Sequence, residues 1–133
     1  MNAQKFTQKS MEAIQAAQSI ALEYQNMQIE QAHLLYALLD QEEGLIGELM
    51  RKMNVQGLKE AAQREIERLP KVSGSGREPG KVYISADVEQ ALNEAERQAE
   101  TMRDEYVSVE HVFLGLMEKA NDSTKRILRE CGV

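Results

Sequence analysis

The feature that most constrains this chain is that it is written twice. Residues 29–55, IEQAHLLYALLDQEEGLIGELMRKMNV, lie without a gap on residues 107–133, VSVEHVFLGLMEKANDSTKRILRECGV, at a constant shift of 78 residues. His33 falls on His111, Leu38 on Leu116, Leu49 and Met50 on Ile127 and Leu128, and Val55 on Val133. Upstream the same shift carries Ala13, Ala17 and Ala21 onto Ala91, Ala95 and Ala99, and Phe6 onto Ile84. A chain that repeats its apolar positions has to bury them twice in the same way, so the repeat is settled before any single element. Two copies with so long a period indicate a duplicated helical unit rather than a solenoid.

Within each copy the apolar spacing is helical. Residues 6–24 place Phe6, Ala13, Ile14, Ala17, Ile20, Ala21 and Tyr24 on one stripe, with Thr7 suited to cap its start. Residues 29–39 form a second helix, residues 45–53 a third, and a fourth runs to Leu69, where Pro70 stops it. Phe6 with Met11, Ile29 with Leu34 and Val107 with Val112 have the spacing of hydrophobic staples. In the second copy Ser85 and Ser108 start the first two helices, and Asp122 is the expected cap of the last. No segment shows sustained strand alternation. The expectation is an all-α, single domain over 1–133 with pseudo-twofold symmetry. Its repeats are 6–69 and 84–133, joined by a Pro/Gly/Ser-rich connector at 70–83. Residues 73–80 are expected to be exposed and poorly ordered. The second copy stops at the residue matching Val55, so it lacks a last helix. A longer parent with an eighth helix is expected, the missing helix covering surface that this chain exposes.

Composition removes several function classes. With 133 residues, 42% hydrophobic and 29% charged, the chain can bury a core without staples. Aromatics make up only 5% and Trp is absent, so that core must be built from Leu, Ile, Ala and the seven Met. A net charge of −6 without a basic patch argues against nucleic acid as a partner. Cys131 is the only cysteine, which excludes an internal disulfide and fits a reducing compartment; its place in the helical pattern is that of a core residue. No apolar run is long enough to span a membrane and no signal-peptide core is present, so the reading is cytoplasmic with no membrane partner.

Catalytic and cofactor chemistry finds little support. A phosphate loop ending at Gly80-Lys81 would need glycine where Ser75 stands and a hydroxyl where Val82 stands. His33 and His111 lack a second His or Cys within a helical turn, so no metal is expected. Each occupies the same place in the first turn of a short helix, which points to a capping role. With no nucleophile and base paired, no catalytic residue is assigned. Asp104, Glu105 and Glu110 gather at one helix junction, where a helix dipole favours acids and where an acidic rim could also edge an apolar groove.

The blocks FTQKSMEAIQAAQSIALEYQN, EQAHLLYALLDQEEGLI, RLPKVSGSG and DEYVSVEHVFLGLM, in that order, resemble the N-terminal domain of the Clp ATPases over essentially the whole chain. The Leu69-Pro70 and Val72–Gly76 stretch resembles the ClpB disaggregase branch more than ClpC or ClpA. The resemblance implies a duplicated four-helix unit and a non-catalytic, substrate-recruiting module on a hexameric ring. That module would bind exposed apolar segments of unfolded or aggregated proteins, with ATP and Mg handled in other domains and no cofactor in this chain. It also implies substrate-binding positions at Thr7, Leu92, Asp104 and Glu110, with Leu92 flooring a groove and the acids edging it. The alternative is an adaptor-docking or phosphoarginine-reading domain of a ClpC-like unfoldase. That branch carries an acid before the histidine in both halves, whereas here Glu110 precedes His111 but Ala32 precedes His33.

Overall fold

The computed structural model describes residues 1–72 and 81–133; the expectation for residues 73–80 lies outside them. Among the described residues there are seven α-helices. They are α1 (Gln8–Glu23), α2 (Gln31–Asp40), α3 (Leu45–Lys52), α4 (Leu58–Arg68), α5 (Ala86–Thr101), α6 (Val109–Glu118) and α7 (Asp122–Glu130), preceded by a 3-10 turn at Ala3–Lys5. The bounds of α5 and α6 are those of α1 and α2 displaced by the 78 residues of the sequence repeat. The counterpart of Leu58, at the start of α4, would be residue 136, past the last residue of the sequence.

Local chemistry repeats with the helices. Thr7 caps α1 by accepting from the Ser10 amide, and Ser85 caps α5 by accepting from the Val88 amide. Helices α1, α3, α5 and α7 all close through one residue in the left-handed region: Gln25, Asn54, Arg103 and Gly132. In each case the next amide reaches back across the last turn, Asn26 N–H to Ala21 O, Val55 to Met50, Asp104 to Ala99 and Val133 to Leu128. The expected cap of the last helix is corrected by one residue. Asn121 is the N-cap, its Oδ1 accepting from the Thr124 amide at 2.9 Å, and Asp122 is the first helical residue. Both side chains suit the role, and only the extended backbone at Asn121 decides between them.

The halves clasp each other reciprocally. The Thr7 amide donates to Val107 O and the Val107 amide to Lys5 O, at 3.0 and 2.8 Å. The Ser85 amide donates to Ile29 O and the Ile29 amide to Tyr83 O, at 3.0 and 2.9 Å. Moving every partner by the repeat interval turns the first pair of bonds into the second, which is the relation a twofold axis between the halves imposes. The end of the connector therefore takes part in the fold, with Val82 buried beside Tyr83. Gln31 breaks the symmetry: its buried amide donates to Asp87 O and Lys119 O and accepts from the Asn121 amide, whereas Val109 occupies the equivalent position.

The alanine rows lie in the core, with Ala13, Ala17, Ala21, Ala91 and Ala95 fully buried. The second half is packed more closely at one point. A Cβ on Gly115 would lie 2.2 Å from Ala91 O and 2.9 Å from the Ala95 amide nitrogen, so α6 approaches α5 to a distance only glycine permits. Ala37 holds the equivalent place in α2. Cys131 lies partly buried against the core, and burial, then the neighbouring Glu130, pushes its thiol above the ordinary value. That is the environment of a packing residue rather than a reactive one.

Candidate functional site

The two histidines resolve first, because they organise the acidic corner. Each sits at the third helical position of α2 or α6, where a capping box usually carries Glu or Gln. The Glu30 amide donates to His33 Nδ1 at 2.8 Å, and the Ser108 amide donates to His111 Nδ1 at 2.9 Å. With Nδ1 accepting, the neutral ring carries its proton on Nε2. His33 Nε2 donates to Asn26 Oδ1 and His111 Nε2 to Asp104 Oδ2, both at 2.8 Å. The rings thus join each helix start to the end of the preceding helix. Burial lowers the His33 pKa to about 4, opposed in part by hydrogen bonding to the Glu30 backbone.

Three of the four expected site residues lie around one junction, where the Thr7 amide donates to Val107 O, the Ser108 hydroxyl donates to Glu110 and His111 bonds Asp104, and the fourth is buried in the core. Thr7 is committed to its cap and to the clasp. Leu92 has no exposed surface, so the expectation that it floors an open groove is corrected. It lies on the inward stripe of α5, and helical spacing alone does not say whether inward means core or cleft. Asp104 is half exposed and bonded to His111. Glu110 accepts from the Ser108 hydroxyl at 3.0 Å and borders an apolar groove between α3 and α6.

That groove has a volume of about 540 Å³. Ile46, Met50 and Phe113 are buried at its base, while Leu45, Leu49 and Met53 stand open along α3 at 47%, 40% and 54% exposure. Leu114 and Met117 of α6 and the terminal Val133 complete it, and Glu110 is its one charged lining residue among the described residues. So continuous an apolar lining, open to solvent, marks a surface suited to binding. The helical period groups Leu45, Leu49 and Met53 on one stripe but does not reveal that no described element covers them. Among the described residues, no group of three or more His, Cys, Asp or Glu could hold a metal ion, and no helix is long and apolar enough to cross a membrane.

Comparison with known proteins places this arrangement. The family model of the Clp repeat N-terminal domain matches residues 5–131. The chaperone protein ClpB of Bacillus cereus is 39% identical over 131 residues, which cover 97% of this chain and 15% of that protein. The chain thus spans a small fraction of the length of the curated relatives it matches. The crystal structure of the Hsp104 N-terminal domain from Candida albicans is 23% identical. It matches with a TM-score of 0.84 over 97% of this chain and 83% of that one. The N-terminal domain of the caseinolytic protease associated chaperone ClpD from Arabidopsis thaliana, 20% identical, matches with a TM-score of 0.74 over all of this chain and 88% of that one. Both structures share the all-α fold.

Proposed function

The chain belongs to the Clp N-terminal domain family, and from that premise we propose that it recruits exposed apolar segments of unfolded or aggregated proteins for a ClpB-like, ATP-driven disaggregase. In this reading the chain performs no chemistry of its own. It captures a segment and presents it to a hexameric ring, whose other domains handle ATP and Mg.

The observation that supports the reading is the open apolar groove at Leu45, Leu49 and Met53, with Glu110 on its edge. Unfolded clients present apolar side chains beside basic residues and free amides. Such a groove gains from burying the first and attracting the second. Covering one client Leu or Phe is worth about 1.5–3 kcal/mol before ordering costs, which gives weak and adaptable capture. Glu110, and Asp104 behind it through His111 and Ser108, act chiefly on encounter rate and salt dependence.

The test measures binding of a reduced, carboxymethylated and therefore permanently unfolded protein by fluorescence anisotropy, with its folded form as control. Leu49→Gln is expected to weaken capture by about tenfold, since it removes apolar surface from a position that is already open. Glu110→Ala is expected to weaken it less, and more at low salt than at high. Leu92→Gln would place an unpartnered amide in the core and so reports on folding instead. Wild-type affinity in both Leu49→Gln and Glu110→Ala would move the site elsewhere.

A further inference from the structure

The asymmetry at Gln31 bears on which helix of the molecule is free to move. The repeat makes α3 the twin of α7, and the turn at residues 41–44 the twin of residues 119–122. The two helices are held at their starts in different ways.

The start of α7 is tied down from the opposite half. Gln31, on α2 and with no exposed surface, donates to Lys119 O at 2.9 Å and to Asp87 O at 3.0 Å, and accepts from the Asn121 amide at 2.9 Å. One side chain thus joins the end of α6, the start of α7 and the first turn of α5. Asn121 adds a second set of ties, capping α7 through Oδ1 and donating from Nδ2 to Asp87 Oδ2 at 3.1 Å. Ala120 beside it is buried.

The start of α3 has no such fastening. Val109 stands in α6 where Gln31 stands in α2, and its side chain has no hydrogen-bonding group. Gly44, at the N-cap, offers α3 no side chain to accept from its first amides. Gln41 reaches Lys9 O at 2.9 Å from within the turn itself, but its Oε1 is buried without a partner among the described residues. An amide oxygen left in that state raises the energy of the closed arrangement and so lowers the cost of opening it. Glu43 takes the left-handed region, with φ of 51°, whereas its twin Asn121 is extended.

We infer that α3 is hinged on residues 41–44, leaving its seat and returning while α7 stays in place, and that Gln31, present in one half and replaced in the other, is the fastener that sets the difference. The groove then has one moving wall, carrying Leu45, Leu49 and Met53, and one fixed wall in α6. This motion belongs to the free protein and needs no client, so it stands apart from the recruitment reading.

Hydrogen exchange followed by mass spectrometry on the whole chain provides the test. A helix of eight residues does not hold itself in water, so the amides of α3 exchange whenever it leaves its seat. Val109→Gln supplies the missing amide beside the 41–44 turn. It is expected to slow exchange across residues 41–52 about tenfold, the worth of roughly one or two buried hydrogen bonds. Gln31→Met keeps the bulk and removes the bonds, and is expected to speed exchange across residues 119–130 by about as much. In each variant the twin helix is expected to keep its wild-type rate. Neither substitution touches the open face of α3, so both read the fastening at the turns and not what lies against that face. Unchanged exchange over residues 41–52 in a Val109→Gln protein that is folded by circular dichroism would overturn the hinge. If Val109→Gln does not fold, Gln31→Met decides. Faster exchange confined to residues 119–130 supports the fastener, and exchange that rises equally in every helix overturns it, by making Gln31 a bolt of the whole fold.

Discussion

His33 and His111 make the same backbone contact through Nδ1, yet one Nε2 meets an amide oxygen and the other a carboxylate. The His33 arrangement carries an acid sensitivity. The unfolded chain binds this proton near pH 6.5 and the folded chain only near 4, so its contribution to stability is complete above pH 6.5 and is lost as the pH falls towards 4. For this single site the loss reaches about 3 kcal/mol. Asn26→Asp gives His33 a carboxylate partner like that of His111, and is expected to raise the His33 pKa and flatten urea midpoints between pH 6.5 and 4. A ring-proton NMR titration of His33 that does not move in this variant would show that Asn26 does not govern it. The shared capping role was legible from the matching positions of the two histidines in the repeat. The burial of Leu92 was not, since a helical stripe gives direction but no depth.

At the scale of elements, the α5–α6 contact is the most exacting in the molecule because backbone meets backbone at Gly115. Gly115→Ala is expected to lose about 1–3 kcal/mol, the usual result of forcing a methyl into closed packing, despite the better helix propensity of alanine. Ala37→Gly, at the equivalent place on α2, should cost less, about 1 kcal/mol from propensity. Thermal unfolding of the two variants compares them directly; a stabilised Gly115→Ala protein would mean that α5 and α6 part easily. Helix number and order were readable from apolar period, the prolines and the caps. The depth of this contact was not, because a glycine within a helical pattern does not name the backbone it will touch.

For the molecule as a whole, the duplication could be read because side-chain character at the core positions survived where identity did not, as with Met50 against Leu128 and Phe6 against Ile84. The groove was harder to see, because its lining belongs to two helices that are distant in sequence and meet only after the halves assemble. That assembly combines packing of α1, α2 and α3 on α6 and of α4 on α7 with the Gln31 bonds and the four reciprocal hydrogen bonds of the clasp, and none of those four depends on the connector being continuous. Two separate copies of residues 1–69 could make the same bonds, each lending its Thr7 amide to the other's Ile29 carbonyl and burying the other's apolar stripe. The fragment 1–69 is therefore expected to sediment as a dimer; a stable folded monomer would show that the clasp is dispensable. Such a dimer would carry between two chains the same reciprocal bonds that this chain makes between its halves. It would not carry the same charges, because Glu48 stands where the second half has Arg126, and Ala32 where it has Glu110.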